Sequence, residues 1–86
     1  MVVIELYGVP RLRAGREALE VEGRSLGEAL RALGAQCPAL APSVVHDGRL
    51  GPAYLVAVNG LQITADPVTP LADGDVLVLI SADAGG

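Results

Sequence analysis

One stretch of this chain has the apolar period of a helix, and the stretches on either side of it have the period of a strand. Leu26, Ala29, Leu30 and Leu33 recur at i, i+3, i+4 and i+7, forming an apolar stripe from which Glu28 and Arg31 lie away. Ser25 and Glu28 have the spacing of a reciprocal capping box, in which the serine hydroxyl accepts the amide of the third helical residue while the glutamate reaches back. Pro38 biases Cys37 away from the helical region, so the helix is expected to end near Ala35. A chain of 86 residues has no room for a second core. A single helix can therefore cover one face of one sheet.

The strands read as follows. Val2, Ile4 and Leu6 alternate over residues 2–7, and Gly8 and Pro10 end the run. After a basic turn containing Gly15, residues 17–22 set Leu19 and Val21 against Glu20 and Glu22, predicting a hairpin with the first strand. Residues 38–53 hold Pro38, Pro42, Gly48, Gly51 and Pro52, which predicts a connection with at most a short turn of helix. Residues 54–59 form an apolar strand closed by Asn59-Gly60, a pair that tolerates positive φ, and Leu61 to Ile63 return antiparallel. Asp66-Pro67, Pro70 and Asp73-Gly74 lead to a last strand, Val76 to Ile80.

This order predicts an α+β roll of the β-grasp (ubiquitin-like) type. It has a mixed sheet of about four to five strands, the first and last adjacent and parallel, with one main helix on one face. Residues 1–80 form the domain, and residues 81–86 a flexible C-terminal tail ending in Gly-Gly.

Composition narrows the function. With 51% hydrophobic residues, two tyrosines and no Phe or Trp, the core is built from Val, Leu, Ile and Ala. Six arginines and no lysine face ten acidic residues for a net charge of −4, a field that repels phosphate backbones and anionic membranes. Neither nucleic acid nor membrane is an expected partner. Cys37 is the only cysteine, so an internal disulfide, a four-thiolate zinc site and a two-iron cluster are all ruled out. The opening residues lack the pattern of a secretory leader, and no apolar run approaches the ~20 residues of a membrane span. The expected location is cytoplasmic.

The tail is the best chemical clue. With 11 glycines in 86 residues, a terminal pair arises by chance in about 1.6% of such chains, so its context matters more than its existence. Six residues after Ile80 extend about 20 Å and present the α-carboxylate on a thin arm. Without Cβ atoms that arm enters a narrow slot and bends close to a reacting phosphate. The carboxylate is ionised at neutral pH and can attack the α-phosphorus of a nucleotide, giving an acyl-adenylate. The chain has no Gly-rich phosphate loop ending in Lys-Ser or Lys-Thr. It is expected to bind no cofactor, with ATP and Mg supplied by the activating partner.

Val58-Asn59-Gly60, then Pro70-Leu71-Ala72-Asp73-Gly74-Asp75, an apolar strand and a terminal Gly-Gly resemble the ubiquitin-like sulfur-carrier family of MoaD/ThiS type. This family includes the molybdopterin synthase small subunit and the thiamin sulfur carrier. The resemblance spans the chain in element order and is specific over the last ~30 residues. It implies that an E1-like adenylyltransferase of MoeB/ThiF type adenylates Gly86 and that a persulfide or other sulfur donor displaces AMP. The resulting thiocarboxylate then passes sulfur to an acceptor. Gly85 would accompany Gly86 in the slot, and Ala84 matches the small residue usual before the pair. Ser81-Ala82-Asp83 stand where the family often has proline, which implies a less stiff arm with an added negative charge.

The chain is thus a carrier and substrate, not an enzyme. The first reading is the small subunit of molybdopterin synthase in molybdenum cofactor biosynthesis, with the large subunit gripping the tail, and the moderately long 38–53 connection favours the larger members of the family over the minimal thiamin type. The alternatives are a sulfur carrier for another acceptor (thiamin thiazole, cysteine or transfer RNA) or a ubiquitin-like modifier conjugated to lysines. An interaction module whose Gly-Gly is incidental is a further reading.

Alternation in the last strand makes a separate prediction. If Leu77 and Leu79 meet the helix, then Val76, Val78 and Ile80 form an apolar stripe on the open face beside the tail, a partner-docking surface unless the 38–53 connection folds over it. Other candidates have bland readings. Cys37 is a small buried hydrophobe, His46-Asp47 a solvated loop pair, Asp73-Gly74-Asp75 a turn without the later bidentate Glu of a calcium loop, and Arg11, Arg13 and Arg16 a solvated hairpin tip.

Overall fold

A computed structural model describes residues 1–81 of the chain. Strand β1 (Val2–Leu6) is followed by helix α1 (Gly8–Ala14), strand β2 (Ala18–Val21) and helix α2 (Leu26–Gln36). A single 3-10 turn (Pro38–Leu40) leads into the short strands β3 (Val45–His46) and β4 (Arg49–Leu50). The chain then continues through β5 (Tyr54–Val58), β6 (Gln62–Thr64) and β7 (Val76–Ser81). The main sheet has the order β2-β1-β7-β5-β6. Within it β1 and β7 are parallel, with Val3 opposite Val76 and Leu6 opposite Leu79, and the other pairs are antiparallel. This is the β-grasp roll that the element order implies.

Helix α2 starts where the capping residues place it. The Ser25 hydroxyl accepts the Glu28 amide at 3.2 Å, but the Glu28 carboxylate reaches one residue further back than in the reciprocal box, accepting from the Arg24 amide at 3.0 Å. The next two orphan amides of the helix, Leu26 and Gly27, donate to the carbonyls of Thr69 and Pro67, both at 2.9 Å. The segment before β7 thereby holds the helix start over the sheet. Leu26, Ala29, Leu30 and Leu33 are buried against Val2, Ile4, Leu6, Val56, Leu77 and Leu79, the inward residues of the central strands.

Three expectations need correction. The β1–β2 connection is not a bare basic turn but a two-turn helix, so the fold has a second helix beside the main one. Pro10 sits in its first turn, where a missing amide costs no hydrogen bond. Residues 38–53 contain a hairpin, with Asp47 and Gly48 at positive φ (53° and 75°) joining β3 to β4. This segment packs against α1 and α2, burying Leu40, Val44 and Val45 on the covered side, and leaves the opposite sheet face open. Finally, the last strand, expected to end at Ile80, includes Ser81.

Candidate functional site

Every second residue of β7 points away from α2. Leu77 and Leu79 are buried, whereas Val76, Val78 and Ile80 are half-buried on the outer face. The register extends that face sideways: Ile80 lies opposite Leu55, and Val78 opposite Ala57, which in turn lies opposite Ile63. Leu55 and Ala57 are half-buried, while Ile63 on the edge strand is 64% exposed. On the other flank Val78 faces Glu5, and Val3 faces Glu20. The outer face is therefore apolar over β7, β5 and β6 and acidic over β1 and β2, and no described element covers it.

Strand β7 releases the chain beside an apolar cleft of about 290 Å³ lined by Tyr7, Val9 and Pro10 on one side and by Tyr54, Ile80 and Ser81 on the other. Both tyrosines of the chain are here, and Tyr7 and Val9 are each about half exposed. The Tyr7 hydroxyl donates to Glu5 at 3.1 Å, and this hydrogen bond to a carboxylate raises the phenol above its ordinary pKa, keeping it a donor. Arg11 lies 4.6 Å above the Tyr7 ring, its Nε donating to the Leu6 carbonyl at 2.8 Å and its Nη1 lying 3.5 Å from Glu17. The expected solvated tip is thus partly a scaffold: Arg11 fixes one wall of the cleft, and Arg13 donates to Ser43 Oγ at 2.7 Å. No apolar period in the sequence points to this wall, because it is built on α1, whose Gly8 and Pro10 have the signature of a turn.

The two motif fragments that carry the family resemblance meet at the other end of β7. The Asn59 side chain donates from Nδ2 to Asp75 Oδ1 at 2.9 Å, its Oδ1 accepts the Val76 backbone amide at 2.8 Å, and Asp75 Oδ2 accepts the Ala72 backbone amide at 2.8 Å. These bonds, the Ala72 amide first and Asn59 second, hold the Asp75 carboxyl below its ordinary range. Asn59 and Gly60 both have positive φ (52° and 70°), as the tight turn requires. The motif is a structural lock that sets the start of β7, and through it the strand's outer face and point of exit.

The remaining candidates are placed as follows. Cys37 is buried at the end of α2, and His46 Nε2 lies 3.3 Å from Asp47 Oδ2, both side chains largely in solvent. Among the described residues no group of three or more His, Cys, Asp or Glu side chains could hold a metal ion, and no helix is long and apolar enough to cross a membrane. Ala84, Gly85 and Gly86, on which the proposed chemistry falls, lie outside the described residues.

A model of the ThiS family matches residues 4–86, the terminal glycines included. Small archaeal modifier protein 1 (SAMP1) of Haloferax volcanii is 31% identical, with a TM-score of 0.78 over 99% of this chain and 98% of that one. SAMP1 of Methanosarcina acetivorans is 24% identical, with a TM-score of 0.80 over 99% and 95%. A structure of the Amycolatopsis orientalis BexX/CysO complex matches at 21% identity, with a TM-score of 0.82 over the whole of both chains. These last two likenesses bear on the fold alone. No curated protein matches the sequence.

Proposed function

The chain belongs to the ThiS family, a ubiquitin-like sulfur carrier or modifier that serves as a substrate rather than a catalyst, and from that premise we propose that Gly86 is the carrier atom's address. An E1-like enzyme of MoeB/ThiF type, supplying ATP and Mg, adenylates the Gly86 carboxylate. A sulfur donor displaces AMP, and the thiocarboxylate donates its sulfur to an acceptor enzyme. The observation that carries this reading is the Gly-Gly end, six residues past Ile80, on a β-grasp body whose last strand exits beside an uncovered apolar face. Val76, Val78 and Ile80 dock that face on the activating enzyme, while Ala84 and Gly85 accompany Gly86 into the enzyme's slot. The BexX/CysO complex is a precedent for a chain of this fold held by another protein.

Among acceptors, the small-subunit role in molybdopterin synthase fits the elaborated 38–53 segment. That segment adds a hairpin beside α2 and leaves the docking face clear. Transfer to thiazole, cysteine or transfer RNA needs the same activated Gly86. The likeness to SAMP1 favours a second reading, conjugation to lysines of other proteins.

The direct test is ATP–pyrophosphate exchange by an E1-like activating enzyme of MoeB/ThiF type. Wild type should support exchange and the Gly86 deletion should not, with both proteins melting at the same temperature. Exchange that survives the deletion refutes the assignment. Supplying the adenylated chain with a sulfide source and the molybdopterin synthase large subunit then distinguishes that acceptor from the others.

A further inference from the structure

The five strands of the main sheet contain two charged residues, Glu5 on β1 and Glu20 on β2, and both are acids. The arginines lie elsewhere, in α1, α2 and β4 and at Arg16 and Arg24 between elements. Alternation puts both carboxylates on the outer face, because Ile4 and Leu6 on β1 and Leu19 and Val21 on β2 point into the core. Glu5 lies opposite Val78, and Val3 stands between Glu20 and Val76. Glu5 and Glu20 are therefore diagonal neighbours across the two strands, roughly 7–8 Å apart.

Neither carboxylate has an ion-pair partner among the described residues. Glu5 accepts the Tyr7 hydroxyl, a neutral donor. The hydrogen bond at Glu20 goes through its carbonyl, which accepts Gln36 Nε2 at 3.1 Å. Covering an unpaired carboxylate with an apolar surface is costly, so whatever covers β1 and β2 must bring positive charge. On the other flank of β7 the edge strand β6 offers Gln62, Ile63 and Thr64, with no charge. The outer face is thus electrically lopsided about its apolar strip, acidic toward β2 and uncharged toward β6.

Taking the outer face as the one that docks on the activating enzyme, we propose that the enzyme's matching surface is an apolar strip bordered on one side by an arginine that enters between Glu5 and Glu20. A planar guanidinium presents donors along more than one edge and serves two carboxylates at once. Contact with Val78, Ile80 and Leu55 supplies the apolar burial, while the two carboxylates set the direction of docking and speed the encounter. Turned by half a revolution on the same face, the enzyme would set its arginine against Ile63 and leave both carboxylates buried without a partner. This inference rests on the carrier reading, in which the outer face meets an E1-like enzyme.

The test measures association rates of the full chain with an E1-like enzyme of MoeB/ThiF type, between ~10 and ~150 mM salt, over which the screening length falls from about 30 to about 8 Å. Glu5→Gln and Glu20→Gln keep the side-chain shape, and the first keeps an acceptor for Tyr7. Each should slow association about fivefold at the low-salt end, the Boltzmann factor of one ion pair at contact in water, and each should flatten the salt dependence. Glu20→Arg should slow it further than Glu20→Gln. Asp47→Asn removes the same charge from the hairpin packed on α2, at a positive φ that asparagine also adopts, and should leave rate and salt dependence near wild type. Melting temperatures of the four variants confirm that each is folded. The proposal is overturned if Asp47→Asn slows association as much as the two Glu→Gln variants, because net charge alone would then act. It is also overturned if neither Glu→Gln variant changes the rate or its salt dependence while the wild-type chain supports pyrophosphate exchange. A wild-type chain that supports no exchange refutes the carrier reading, and this inference falls with it.

Discussion

Leu79 and Ile80 are neighbours in one strand that face opposite sides of the sheet, and truncating each to alanine separates the fold from the proposed docking surface. Leu79 is 0% exposed and paired with Leu6 and Val56 across the two flanking strands. Leu79→Ala should cost about 2–5 kcal/mol, the transfer of the lost methyls plus the cavity they leave. At ~4–8 °C per kcal/mol for a domain of this size, that lowers the melting midpoint by roughly 8–40 °C. Ile80 is half-buried against Leu55 on the outer face, so the same truncation removes about half a burial term, ~1 kcal/mol. The other half is buried only on docking, and Ile80→Ala should weaken binding to the activating enzyme by about fivefold, the equivalent of that remaining ~1 kcal/mol. Thermal unfolding followed by circular dichroism and a binding titration in one buffer read both effects. Equal melting losses for the two variants mean that the outer face is core. A mild melting loss for Ile80→Ala with unchanged affinity means that the partner docks elsewhere.

Three further outcomes follow from local structure. Ser25→Ala removes the acceptor for the Glu28 amide and should cost ~1 kcal/mol in thermal unfolding, with partner affinity unaltered. Gly51→Ala places a Cβ 1.9 Å from the Ser43 carbonyl oxygen and should cost more than about 3 kcal/mol. Gly60→Ala, with nothing within 4 Å and only a positive φ to strain, should cost ~1–2 kcal/mol, so a reversed ranking in denaturant titrations contradicts the packing described. The Asp75 carboxyl is depressed by the Ala72 amide and Asn59; its stabilisation is present above the ordinary carboxyl value of ~3.9 and is lost as pH falls through the folded value. The stability difference between wild type and Asp75→Asn should therefore shrink below about pH 4, and a constant difference across the acid range argues against the lock.

The sequence made the fold legible wherever apolar period and turn chemistry agreed. Leu26 to Leu33 announced α2, Asn59-Gly60 announced the β5–β6 turn, and the alternation from Val76 to Ile80 separated inward from outward residues before any coordinates. Two elements escaped for opposite reasons. Gly8 and Pro10 look like breakers, but a proline in the first turn of a helix loses no hydrogen bond, so α1 was hidden by the rule that usually exposes a loop. Strands β3 and β4 have two residues each, too short for any period, and only Asp47-Gly48 marked their turn. The site was half legible. Its outer face follows from alternation, whereas the cleft of Tyr7 and Tyr54 joins residues 47 positions apart and depends on α1. The motif that pointed to the family proved to organise the start of β7 rather than to touch the reacting end.

The central claim is that sulfur resides on Gly86, and intact-mass analysis of the protein purified from its own cells, with fragmentation to locate any change, tests it most directly. The account predicts a population in which one oxygen of the Gly86 carboxyl is replaced by sulfur, lost when the activating enzyme is deleted. A protein that carries only the oxygen acid in cells with that enzyme intact contradicts it.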